Sequence, residues 1–233
     1  MKIIRNAACW LFILCMPVLL ITANVRIAAN SSGLYRYGFN KYDISQVTGL
    51  APAELDKAIS GLITYFNNGE EYINLTVVKN GKPFTLFNER EVQHLKDVKS
   101  LFRLVYRLLI GTFIYAVLYT GLNYILWQDR RRVSLGLIGG SVLTLALIII
   151  PGMMMLVDFN WFFYQFHLIS FTNDLWLLDP ATDYLIMLFP EGFWFDSALL
   201  ITLGTTALAL ILGGAGWWRL RKEKAVKAQN PVS

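Results

Sequence analysis

Four long apolar runs, Ala7–Val25, Leu108–Trp127, Val133–Val157 and Ala198–Trp218, are separated by segments that are polar or strongly aromatic. Each run is close to the ~20 residues a helix needs to cross a bilayer. The pattern predicts a mainly α membrane protein with four transmembrane helices. Lys2 and Arg5 ahead of the first run resemble the start of a secretory leader. The run is long, however, and Asn24-Val25-Arg26 follows where small residues would mark cleavage, so an uncleaved anchor is expected. Five stretches result: 1–27, the N-terminus and first span; 28–100, a small α+β cap; 101–157, spans two and three with a short basic loop; 158–196, an interfacial segment; and 197–233, the fourth span and a basic tail, expected to be disordered.

Inside the cap the periodicity changes. Pro52 suits a first helical position, and Leu55, Ile59, Leu62, Ile63 and Phe66 then recur on one helical face. Tyr72–Lys79, the Asn80-Gly81 pair and Lys82–Phe87 read as a β-hairpin with a type I′ turn. Asn88 with Glu91 three residues on forms a capping box, opening a helix that carries His94 and continues into the second span. Arg103 and Arg107 on that helix are expected to snorkel to the membrane surface. Residues 158–196 hold 13 aromatics in 39 positions, against 14% for the whole chain. Such density belongs at the headgroup level, where a ring can be half wet. It predicts short helices in the interface, one of them opened by Asp179-Pro180 and ending near Pro190.

Charge supplies the orientation. Lys2, Arg5, Arg130, Arg131, Arg132, Arg219, Arg221, Lys222, Lys224 and Lys227 fall on one side, with only Asp129 and Glu223 against them, for a net +8. The other side carries −3, within a chain total of +5. Short Lys/Arg-rich loops stay in the cytoplasm, which places both termini inside and the cap and aromatic segment at the outer face. The basic balance is thus a topology signal. No basic patch interleaved with aromatics marks a nucleic-acid module. At 55% hydrophobic and 16% charged, the composition also excludes a water-facing soluble enzyme. Cys9 and Cys15 lie in or beside the first span, so packing is expected of them, and no disulfide framework.

The chain has only two histidines, His94 and His167, and two spans separate their segments, so both face the same side. No G-x-S-x-G elbow or P-loop is present, and Lys99 and Thr172 occupy the positions where an acyltransferase His-x4-Asp motif would carry Asp. A zinc site from His94, His167 and Asp174 lacks H-E-x-x-H spacing, so no metal is expected. What remains is general acid–base chemistry at a lipid surface, where histidine titrates near neutrality.

Two stretches carry a family resemblance. Asn88–Lys99, with His94 at its centre, is similar to one signature of the bacterial lipoprotein intramolecular transacylases. Phe166-His167, Phe171, Asn173-Asp174, Trp176, Asp179-Pro180, Thr182-Asp183, Leu185-Ile186, Phe189-Pro190 and Phe193-Trp194 resemble the other. The resemblance implies transfer of the sn-2 acyl chain of a diacylglyceryl-cysteine to that cysteine's own α-amine. It also implies His94 and His167 as catalytic residues, diacylglyceryl-modified lipoproteins and membrane phospholipid as partners, and no cofactor. Arg90, one turn before His94, and Asn173 and Asp174, two turns after His167, are candidates for orienting the rings. A membrane lipid or lipoprotein hydrolase using the same base, or a non-catalytic membrane sensor or partner protein, stays open on the residues alone.

Overall fold

The structure, a computed structural model, describes residues 2–229. Its elements in chain order are α1 (Lys2–Ala29), α2 (Ser32–Lys41), α3 (Ile44–Thr48), α4 (Pro52–Asn67), β1 (Thr76–Lys79), β2 (Lys82–Thr85), α5 (Glu89–Ile125), α6 (Arg130–Val157), α7 (Phe159–Ser170), α8 (Tyr184–Leu188) and α9 (Glu191–Gln229). Among the described residues, four helices are long and apolar enough to cross a membrane: α1, α5, α6 and the 191–225 part of α9. The chain divides into two compact units, residues 1–25, 106–153 and 201–233 in one and 26–105 and 154–200 in the other.

The first unit is the helical bundle. Small residues let α1 and α6 approach closely: a Cβ on Gly136 would lie 2.8 Å from Phe12, and one on Gly140 2.5 Å from Met16. In a bilayer, where apolar side chains gain little by leaving lipid, such backbone proximity is the main source of helix association. Phe12 also stacks on Tyr119 of α5 at 4.5 Å, and Tyr115 donates to the Ala8 carbonyl at 2.8 Å. Gln128, with φ of 50°, turns the short connection between α5 and α6. Asp129 then caps α6 through the Arg132 amide at 3.1 Å and receives the Arg5 guanidinium at 2.5 Å. Cys9 and Cys15 are free and half-buried.

The second unit is the α+β cap together with the aromatic segment. The α4 face read from the sequence packs inward, with Leu55, Ile59, Leu62 and Phe66 buried, joined by Ala58 and Tyr65. Asn80 and Gly81 have φ of 53° and 73°, the two positive values a type I′ turn demands. The strands are shorter than the alternation suggested, pairing over Thr76–Lys79 and Lys82–Thr85. The outer edge of β1 is closed where Glu54 accepts from the Val78 amide at 2.8 Å. Lys99, only 2% exposed, bonds Asn68 Oδ1 at 2.7 Å and the Glu70 carbonyl at 2.6 Å, fixing the loop that follows α4.

Two expectations are corrected. The tail is helical through Gln229 rather than disordered, because Arg, Lys, Glu and Ala extend a helix and no Gly or Pro interrupts the stretch between Gly216 and Pro231. Residues 230–233 lie outside the described part. The short helix before Pro190 starts at Tyr184, not at Pro180: the Asp179 carboxylate is spent on the Ala181 amide at 2.9 Å, which closes a turn instead of a helix.

Candidate active site

His94 is set by regular structure. The capping box forms as read: Asn88 Oδ1 accepts from the Glu91 amide at 3.0 Å, and Glu91 Oε2 accepts from the Asn88 amide at 2.7 Å. With α5 thus started at Glu89, His94 lies in its second turn, 6% exposed. Its Nδ1 is buried without a hydrogen-bond partner. Phe171 meets the ring edge-on at 5.1 Å between centroids.

His167 sits in the last turn of α7, 8% exposed. Asp158 starts that helix by accepting from the Trp161 amide at 2.9 Å. One turn before the histidine, the Phe163 carbonyl lies 2.7 Å from His167 Nδ1. A carbonyl oxygen can only accept, so Nδ1 carries the proton and Nε2 the lone pair. Phe163, Phe166, Phe171 and Trp176 surround the ring at 4.4, 5.5, 5.7 and 4.8 Å.

The two rings, 73 residues apart in sequence, come to 6.2 Å between centroids. Burial pushes the His94 pKa down to about 4, helped by the nearby His167 and opposed by Asp97. Burial also lowers that of His167, against the hydrogen bond to Phe163. Both imidazoles are therefore neutral at pH 7, one with its tautomer fixed.

Arg90, Asn173 and Asp174 are drawn to the same place, but their hydrogen bonds join segments and do not go to the rings. Arg90 donates to the Asp174 carbonyl at 2.5 Å, and Asn173 Nδ2 donates to Asp97 Oδ2 at 2.9 Å. Loop 171–176 is thereby clipped to α5 on either side of His94, one turn before and one after. Four residues matter here that had not been named as site candidates, although Asp97, Phe171 and Trp176 stand inside the two signature stretches. Asp97, three residues after the histidine and within the first signature, acts electrostatically on His94 and anchors the loop. Phe163, Phe171 and Trp176 wall the ring; Phe171 and Trp176 stand in the second signature, and for Phe163 the signal was the aromatic density of 158–196. Among the described residues, no three His, Cys, Asp or Glu side chains gather to hold a metal ion.

Comparison with known proteins bears on what this site belongs to. No curated protein matches the chain. The structure of the membrane integral lipoprotein intramolecular transacylase Lit from Bacillus cereus superposes with a TM-score of 0.81 at 20% identity, over 97% of this chain and 100% of that one. Structures of a histidine-to-arginine and a histidine-to-alanine variant of that protein give TM-scores of 0.77 and 0.78 at 18% identity. They cover 97% and 96% of this chain, and 96% and 97% of theirs. Identities this low speak for the fold alone. The family model described as lipoprotein intramolecular transacylase Lit matches residues 10–194, which takes in both histidine segments. Four apolar helices, two histidine segments and that match agree: the chain is an integral membrane acyltransferase and belongs to the lipoprotein intramolecular transacylase family.

Proposed function

We propose that the protein moves the sn-2 acyl chain of a diacylglyceryl-cysteine lipoprotein onto the α-amine of the same cysteine, with His167 as general base and His94 as its partner. The observation that carries this reading is the meeting of two buried, neutral imidazoles at 6.2 Å, one with Nδ1 held by a carbonyl. The substrate brings both nucleophile and electrophile, so no protein nucleophile is needed. The amine attacks the ester carbonyl, and His167 Nε2 takes a proton from the attacking nitrogen. The same proton passes to the departing glycerol oxygen as the ester C–O bond breaks and the amide remains. Atoms balance without water or cofactor. A neutral His94 offers an N–H to the carbonyl oxygen as it becomes an oxyanion, a type of contact worth about 3–4 kcal/mol in acyl transfer.

Much of the rate would come from geometry. Well-oriented intramolecular pairs reach effective molarities of roughly 10⁵–10⁸ M. The aromatic walls around His167 would exclude the water that could otherwise take the acyl group. Purified protein incubated with a diacylglyceryl lipopeptide should leave the total mass unchanged while one chain shifts from ester to amide on the N-terminal cysteine. Release of free fatty acid would make it a hydrolase instead.

The site is assigned to the outer face, with both termini cytoplasmic, on the +8 against −3 charge asymmetry. Cysteines introduced at Asn80 and at Gln128 test this with an impermeant thiol reagent on intact cells. Labelling at Asn80 alone is expected, and labelling at Gln128 alone would invert the topology.

A further inference from the structure

Glu91 does more than close a capping box. Its carboxylate is 1% exposed, although an ordinary box needs one oxygen on a helix surface. Here both oxygens are used. Oε2 takes the Asn88 amide, and Oε1 takes the Leu185 amide of α8 at 2.6 Å, 94 residues away. The exchange runs the other way too. Asp183 stands at the N-cap of α8 yet makes no side-chain cap there. Its Oδ1 instead accepts from Asn88 Nδ2 at 2.8 Å, and its Oδ2 from the Asp179 amide at 2.8 Å. Each helix start is thus tied by a side chain of the other, and each of the two buried carboxylates accepts at both oxygens. A buried carboxylate is tolerated only when its hydrogen bonds are met.

Both ends of this clamp lead to a histidine. Glu91 is three residues before His94, on the same face of α5. From α8 the chain passes to Phe189, whose carbonyl accepts from Trp194 Nε1 at 3.1 Å. Trp194 stacks on Phe163 at 5.8 Å, and the Phe163 carbonyl holds His167. We propose that Glu91 is a positioning residue for acyl transfer: through Leu185 and Asn88 it fixes the first histidine helix against the segment that places the second. This rests on the histidine reading above and adds to it the part that sets the separation of the rings.

Glu91→Gln keeps the volume but turns an NH₂ toward one of the two backbone amides. Because a misplacement of about 1 Å remote from the chemistry can cost on the order of 10²-fold, kcat on the lipopeptide should fall by about that factor. KM should stay within about twofold, since no substrate contact is removed. Amide exchange at Leu185 of α8 should accelerate while α4 and α5 stay protected. His167→Ala is run beside it. Wild-type kcat in Glu91→Gln with an inactive His167→Ala overturns the clamp and leaves the histidine reading standing. An active His167→Ala overturns the histidine reading itself. A raised KM at unchanged kcat also overturns the clamp, since it would place Glu91 in substrate binding. Should Glu91→Gln fail to fold, Asn88→Ser keeps a capping oxygen and removes only the bond to Asp183. It should lower kcat about tenfold at unchanged KM, and no change in kcat would end the proposal.

Discussion

The two histidines are buried to nearly the same extent, yet they are held in opposite ways. His94 rides a long capped helix and its Nδ1 has no partner. His167 rides the end of a 12-residue helix, and its Nδ1 is bonded to a carbonyl. The first is placed by backbone and packing, with one ring nitrogen left unpartnered. The second is fixed in tautomer and ringed by aromatics, which suits a base whose Nε2 must keep its lone pair. Burial alone does not distinguish the two rings; the hydrogen-bond partner does.

The contrast can be broken first at the loop between the helices. Arg90→Ala or Asn173→Ala would release one of the two clips that hold loop 171–176, with Phe171 and Trp176, against the rings. Each should lower kcat about tenfold, within the range known for a slightly misplaced catalytic group, and protease nicking in that loop should increase. Unchanged turnover would mean that the aromatic wall is held by packing alone.

A smaller effect sharpens the comparison. Burial disfavours both imidazolium forms, so both rings stay neutral to below the ordinary histidine pKa of 6.5. Once divided by the fraction of neutral substrate amine, whose ordinary pKa is about 8, kcat/KM should keep its acid limb below pH 6.5 and agree between pH 6.5 and pH 7.5 to within about twofold. The His94 contribution is expected at about 4. A limb centred at 6.5 or above would show that the working histidine is wet when it acts.

How much of this was legible in the chain depended on distance along it. Asn88 and Glu91 lie within four residues of each other, as do Asn80 and Gly81, so their cap and turn could be read as local chemistry. The spans were visible from apolar length. The partner of the second Glu91 oxygen is Leu185, and nothing near either residue announces it. Asp179-Pro180 carries the letters of a helix start, but its carboxylate closes a turn, and α8 begins only at Tyr184. Helices α2 and α3 escaped because Gly33, Gly38 and mixed polar positions blur their period. The two histidines were legible as a pair on one face. Their 6.2 Å approach was not, since it depends on clips between residues about 80 apart.

The most direct test is a double-mutant cycle on kcat/KM for the mass-neutral ester-to-amide shift, using His94→Ala, His167→Ala and the pair at equal membrane abundance. Positioned acid–base groups contribute roughly 10²–10⁴-fold. Each single variant should lose that much, and the double should be barely slower than the worse single, as when residues act as one unit. Wild-type turnover in either single variant, or losses that multiply fully in the double, would contradict a joint histidine mechanism.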